Sequence, residues 1–260
     1  MKYFNLIFLL ALLSSCSKPE ENFIKIPSEF TITIQEEIKP TGLREKWIQL
    51  SSLNSFYCLD DSLVYNTSSG LNSISIEILD SYKANDCIQK VYFLKSRIKL
   101  PDFTDSLQLQ LSLGSASIIN CSFYNYKNYY TIQINDGTGL IKKYDKTYKI
   151  PENLIWGYAY PKSLGPNGNN ALLNFNKDIE IHCNNYHLPK GYYTYFSVLE
   201  GNVLQLNENP GIAFTYVNFY YSHNKTELQL IEFFNELASK YIDLVGYKIN
   251  SGYGLEFKSN

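Results

Sequence analysis

Residues 106–113 read Ser-Leu-Gln-Leu-Gln-Leu-Ser-Leu. Leu107, Leu109, Leu111 and Leu113 fall at every second position, with hydroxyl or amide side chains between them. That period puts all four leucines on one face of a strand, whereas a helix would scatter them around its circumference. The same alternation runs through Phe30–Ile38 (Phe30, Ile32, Ile34), Ser73–Leu79 (Ile74, Ile76, Ile78) and Tyr129–Ile134. Lys46–Leu50, Phe56–Tyr65 and Val91–Leu100 are further strand-like runs, and Pro40-Thr41-Gly42 and residues 66–72 have turn composition. Strands about ten residues apart, joined by turn-rich pieces, predict an antiparallel sandwich or barrel and not a parallel α/β sheet. Asn135-Asp136-Gly137 is a hairpin signal, with Leu140–Ile150 expected as the returning partner strand.

The pattern loosens after residue 150. Trp156, Tyr158 and Tyr160 are followed by PKSLGPNGNN, which reads as loop, so residues 151–177 are expected to be a joint. Asp178–Cys183, Tyr192–Leu199 and Phe214–Tyr221 read as strands. The period then changes. Leu230, Ile231, Phe234, Leu237, Ala238 and Tyr241 have helical spacing, with a capping box at Thr226/Gln229 or Asn224/Glu227. Leu244–Ile249 and Leu255–Phe257 close the chain as strands. The expected architecture is mainly β with a C-terminal α+β part. An antiparallel β-sandwich over residues 29–150 precedes an α+β domain over 178–260, a small sheet with one packed helix in a split βαβ arrangement.

The N-terminus reads as an address. Lys2 precedes an apolar run from Tyr3 to Leu13, interrupted only by Asn5. The run is short of the about 20 residues that span a bilayer and suits a secretory signal. It ends Leu13-Ser14-Ser15-Cys16, which resembles the lipobox of bacterial lipoproteins. The resemblance implies cleavage after a signal peptide of residues 1–15, with Cys16 acylated as the new N-terminus and residues 16–28 forming a lipidated tether. Several acyl chains, palmitate among them, give stable attachment at about 0.8 kcal/mol per buried methylene. The acidic Ser17-Lys18-Pro19-Glu20-Glu21 resembles the surface-export signal of Bacteroidetes lipoproteins. Together these imply an outer-membrane location, on the surface or the periplasmic face. The stretch from Phe30 to Ile150 resembles the Ig-like β-sandwich modules of such lipoproteins in three features: the Cys58 and Cys87 pair, the Leu107–Leu113 alternation and the Asp136-Gly137 turn. The Cys-Trp-Cys arrangement of antibody domains is absent.

Composition narrows the function. A net charge of −2 argues against nucleic acid as a partner. Cys58, Cys87, Cys121 and Cys183 are an even set in an exported chain and read as disulfide candidates with three possible connectivities. Cys58–Cys87 is favoured because both lie at strand edges in one module, leaving Cys121–Cys183. His182, Cys183 and His187 are close in sequence, but a structural zinc takes four ligands and no fourth is in view, so no metal or other cofactor is expected. The oxygen-rich loop 135–139 reads as a turn and not a calcium site. Hydrolase and nucleotide-binding motifs are missing. Trp47 and the cluster Trp156, Tyr158 and Tyr160 are candidate ligand-contact aromatics; the alternative for the cluster is burial at the domain junction. The expected function is a lipid-anchored extracytoplasmic binding or complex component with a protein or glycan partner. The alternatives are a fimbrillin-like structural subunit, with Arg44 and Arg97 as maturation sites, and a hydrolase with a dispersed active site.

Overall fold

Alternation becomes burial in β6 (Ser106–Leu113), whose four leucines are buried while Gln108 and Gln110 are exposed. The structure is a computed structural model describing residues 29–57, 59–83, 91–113, 117–212 and 215–259. The protein is mostly β, a sandwich followed by a smaller α+β part. One layer of the sandwich contains β1 (Phe30–Ile38), β2 (Arg44–Tyr57) and β5 (Val91–Lys99). The other contains β4 (Ser73–Lys83), β6, β7 (Ser117–Asn125) and β8 (Tyr129–Asp136). Strand β3 (Leu59–Ser69) joins the layers, pairing along β4 and meeting β5 at Ser62–Lys95. Ile32, Ile34, Ile48 and Leu94 from the first layer meet Ile76, Leu109, Phe123 and Ile132 from the second in one core. Burying each such side chain is worth about 1.5–3 kcal/mol, so the period-two pattern supplies most of the driving force here.

Pairing is antiparallel in most of the sandwich, but β4 and β6 run parallel because the intervening β5 lies in the other layer. The expected hairpin after β8 needs correction. β9 (Leu140–Lys142) pairs in parallel with β1 and not with β8. Gly137 and Gly139, at φ +92° and +97°, turn the chain towards the opposite layer, where Phe30 N–H donates to Gly139 O. Only β10 (Thr147–Tyr148) returns to β8.

The smaller sheet is formed by β11 (Leu154–Pro161), β15 (Val217–Ser222), β16 (Val245–Ser251) and β17 (Glu256–Lys258), in the order β15-β11-β16-β17. β15 and β16 are both antiparallel to the β11 between them and are joined by α2 (Glu227–Tyr241), which is the expected split βαβ. Thr226 and Gln229 form the capping box of α2; Asn224 does not.

A second helix, α1 (Pro166–His182), stands where loop and then strand were expected. Pro166 sits in the first turn, where its missing N–H costs nothing. Gly168 is a contact residue and not a breaker: a Cβ there would lie 2.0 Å from Ser163 O. Ala171, Leu172, Phe175 and Ile179 pack α1 on the sheet. Phe175 meets the Tyr241 ring edge-on at 5.3 Å, and Asp178 accepts from the Tyr241 hydroxyl (2.7 Å) and Lys240 Nζ (2.6 Å). Tyr192–Leu199 is also a correction. It folds as a hairpin of β12 (Gly191–Tyr193) and β13 (Phe196–Val198), and with β14 (Leu204–Leu206) it extends the large sheet through β10.

A buried charge ties the two parts together. Glu36 accepts from Arg44 Nη1 (3.0 Å), Tyr130 Oη (2.9 Å) and Ile150 N (3.4 Å). The same guanidinium donates to Ile150 O (2.7 Å) and Gly252 O (3.0 Å). Burial, then the charge of Glu36, pushes the Tyr130 phenol far above its ordinary value, so it remains a donor. Trp156, Leu188, Phe196, Val198 and Leu204 form an apolar cluster at the same junction, with Ile38 from β1.

Candidate functional site

Strand β11 places the three candidate aromatics on one face. Ile155 and Ala159 point into the helix-side core, so Trp156, Tyr158 and Tyr160 point the other way. The three then part. Trp156 is 2 % exposed, tilted against Tyr195 (5.5 Å) and Phe196 (5.6 Å), in a strand and not a loop. Tyr158 and Tyr160 lie farther along and are half-buried, 6.5 Å apart. Tyr216 joins them edge-on, 6.0 Å from Tyr158. Tyr160 lies against Gly246, where an added Cβ would come 2.1 Å from its ring. Asn218 on β15 and Lys248 on β16 flank Tyr158 in register. Burial is the main reason the Tyr158 phenol is raised above its usual value. Three phenol rings, on β11 and at the entry to β15, thus group on the sheet face opposite the helices, while the Asn218 amide is turned inward and donates to Leu204 O (3.2 Å). The alternation of Tyr216, Asn218 and Tyr220 leading into β15 carried the signal for Tyr216.

The other sequence candidates do not converge here. Over Trp47, the Arg97 guanidinium lies 4.5 Å and the Lys39 ammonium 6.0 Å from the ring centroid, so cations occupy the stacking surface. Asp136, the last residue of β8, accepts from Asn120 N and Nδ2. Cys121 and Cys183 are free, which overturns a bridge between them. Cys121 points into the sandwich core and Cys183 into the helix-side core, so they belong to separate interiors. Burial raises both thiols to about 11, which makes them neutral core residues and not nucleophiles. Cys16, Cys58 and Cys87 lie outside the described residues.

His182 and Cys183 also diverge: His182 faces a cleft of about 420 Å³ between the C-terminus of α1 and the N-terminal half of α2. Glu232 and Glu236 line it from one helix, one turn apart, so they share a wall. His187 is exposed. Among the described residues no group of three or more His, Cys, Asp or Glu is placed to hold a metal. No described helix is long and apolar enough to cross a membrane.

His223 is 1 % exposed, with its ring 5.5 Å from Tyr253 and the Lys225 backbone as a polar neighbour. Burial holds its pKa below the ordinary value. Stability is therefore undiminished above about pH 6.5 and falls as pH drops from there towards the folded value, because the unfolded chain takes the proton first. The carboxyls of Glu37, Glu45 and Asp178 are held below their usual range by lysine partners, so their contribution is lost at lower pH still. We expect His223→Phe to lose less melting temperature between pH 7.5 and 5 than the parent, measured by thermal unfolding at each pH.

No family model matches the chain, and neither a curated protein nor a solved structure matches it.

Proposed function

We propose that this protein is a non-catalytic binding or complex component, anchored to the outer membrane through lipid on Cys16. It takes a protein or glycan partner on the open face of its small sheet. One observation carries the reading: Tyr158, Tyr160 and Tyr216 are grouped and half-buried on the sheet face opposite the helices. Tyrosine offers large contact area with little rotamer entropy to lose, which favours recognition. The N-terminal lipobox resemblance supports the anchor, and the period-two body supports an extracytoplasmic scaffold.

The alternatives fit less well. A subunit matured at Arg44 needs that residue released, yet its guanidinium is held by Glu36 and two backbone carbonyls. Acid/base glycoside hydrolysis needs carboxyls on either side of the bond, and Glu232 and Glu236 share one helix. Membrane-impermeant crosslinking on intact cells tests the proposal. The parent is expected to give a discrete crosslinked partner or glycan adduct, and Tyr158→Ala/Tyr160→Ala to lose most of it while staying folded. Cys16→Ser is expected to leave the membrane fraction. Full capture by the tyrosine variant, or membrane retention of Cys16→Ser, would overturn the corresponding half of the reading.

A further inference from the structure

The outer face of the second sandwich layer is mostly uncharged, with Glu77 and Asp136 confined to one end of it. Its cross-strand rows read Ser73–Gln108–Ser122–Gln133 and Ser75–Gln110–Asn120–Asp136, the last closed by the Asn120 amide donating to the Asp136 carboxylate (2.8 Å). Hydroxyls and amides thus fill the rows across β4, β6 and β7, and through β8 at Gln133, while Ile74, Leu109 and Cys121 fill the core beneath. Part of this field is already organised: Ser122 Oγ donates to Gln108 Oε1 (2.9 Å) and accepts from Asn135 Nδ2 (2.8 Å). Gln110 and Gln133 are exposed and their amides make no hydrogen bond within the described protein. A groove of about 420 Å³ opens in this field, lined by Ser68, Ser73, Ser75, Gln108, Gln110 and Asn120 among others, with no charged side chain.

An aromatic rail borders the field. Tyr124 follows Ser122 on the same face of β7, about 7 Å farther along the strand. Its ring lies 6.2 Å from Tyr126, which stacks on Tyr129 at 4.8 Å, and the Lys146 ammonium lies over Tyr129, 4.5 Å from its ring centroid, so the rail offered to a ligand is Tyr124 and Tyr126. Tyr126 is 47 % exposed.

We propose that this face is a second binding site, for a neutral oligosaccharide lying along the groove towards Tyr124 and Tyr126. A sugar hydroxyl both donates and accepts, as do the amide and hydroxyl groups here, and neither side must desolvate a charge. The apolar face of a pyranose fits a tyrosine ring. Sulfated or uronic glycans and nucleic acids would need cations that the groove lacks. Strand addition by a peptide needs an open edge, and β4, β6 and β7 are each paired on both sides. The proposal stands independently of any partner at Tyr158 and Tyr160.

The test is titration calorimetry on the detergent-solubilised full chain with gluco-, xylo-, manno- and galacto-hexasaccharides. Heparin hexasaccharide serves as the anionic control. At least one neutral probe is expected to bind and heparin not to. Gln108→Ala/Gln110→Ala should weaken that binding at least tenfold, and so should Gln110→Glu, which brings a charge into the groove. Tyr124→Ala/Tyr126→Ala should weaken it severalfold. Tyr158→Ala/Tyr160→Ala should leave it unchanged, which separates this site from the tyrosine face of the small sheet. Circular dichroism confirms that the exposed substitutions keep the fold. Absence of binding to every neutral probe, equal binding of heparin, or full affinity in the glutamine variants would overturn the proposal.

Discussion

Arg44→Ala is expected to destabilise the protein by about 3–5 kcal/mol, the usual cost of leaving a buried partner charge uncompensated. Glu36 is the partner at risk, with its side chain 2 % exposed and the Arg44 side chain 23 % exposed. Removing the guanidinium also strips a donor from Ile150 O and Gly252 O, so the sandwich loses one polar hold on the rest of the chain and keeps those of Glu36 N to Thr194 Oγ1 (2.7 Å) and Ile38 N to Tyr195 Oη (3.0 Å). Lys149 does not replace it. Its ammonium lies over the Tyr130 ring at 4.7 Å and donates to Asn125 Oδ1 (2.6 Å), while burial holds its pKa down. Glu36→Gln/Arg44→Met removes both charges and should cost clearly less than the sum of the single changes. Urea unfolding of the four proteins measures the coupling. A single Arg44→Ala loss below about 1 kcal/mol, in the range of exposed pairs, would show that the junction does not depend on this ion pair.

What the sequence made legible follows from the range over which its signals act. Alternation such as Leu107–Leu113 is a local record of one buried face, and it placed most of the sandwich strands. The helical spacing from Leu230 to Tyr241 and the Thr226 cap worked in the same way. Partner choice is not local. The Asp136-Gly137 signal was a real turn, yet the following strand found β1, because closure of the layers and not the turn selects the neighbour. α1 was hidden because Pro166, Gly168 and three asparagines read as breakers, although Ala171, Leu172, Phe175 and Ile179 already carried helical spacing. Gly168 was chosen by the approach of Ser163, a tertiary contact. Cysteine parity misled for Cys121 and Cys183, because a buried thiol is also a small apolar side chain. The site was half legible. Tyr158 and Tyr160 share a face as period two requires, but only the fold brings Tyr216 beside them.

Trp156 separates the two roles that one aromatic cluster can play. Trp156→Ala is expected to cost about 3–5 kcal/mol, as large-to-small changes of buried aromatics do when the site cannot collapse. Collapse is restricted because the indole is wedged between strands of different sheets: β11 carries it, and Tyr195 and Phe196 from the β12–β13 hairpin cover it. Its position opposite Tyr220 and Asn250 in the small sheet fixes the backbone beneath. Trp156→Phe keeps the apolar body and should cost markedly less, since the buried Nε1 makes no hydrogen bond in the described structure. Tyr158→Ala, only two residues along the same strand, is half-buried and should lose less stability than Trp156→Ala while reducing crosslinked partner. Urea midpoints and intact-cell crosslinking measured on the same three variants give two independent axes. Trp156 should move along stability and Tyr158 along capture, because burial exhausts the contact surface of the first and leaves that of the second available. Equal loss of capture in stably folded Trp156→Phe and Tyr158→Ala would instead put the indole in the binding face and reduce the junction to a secondary role.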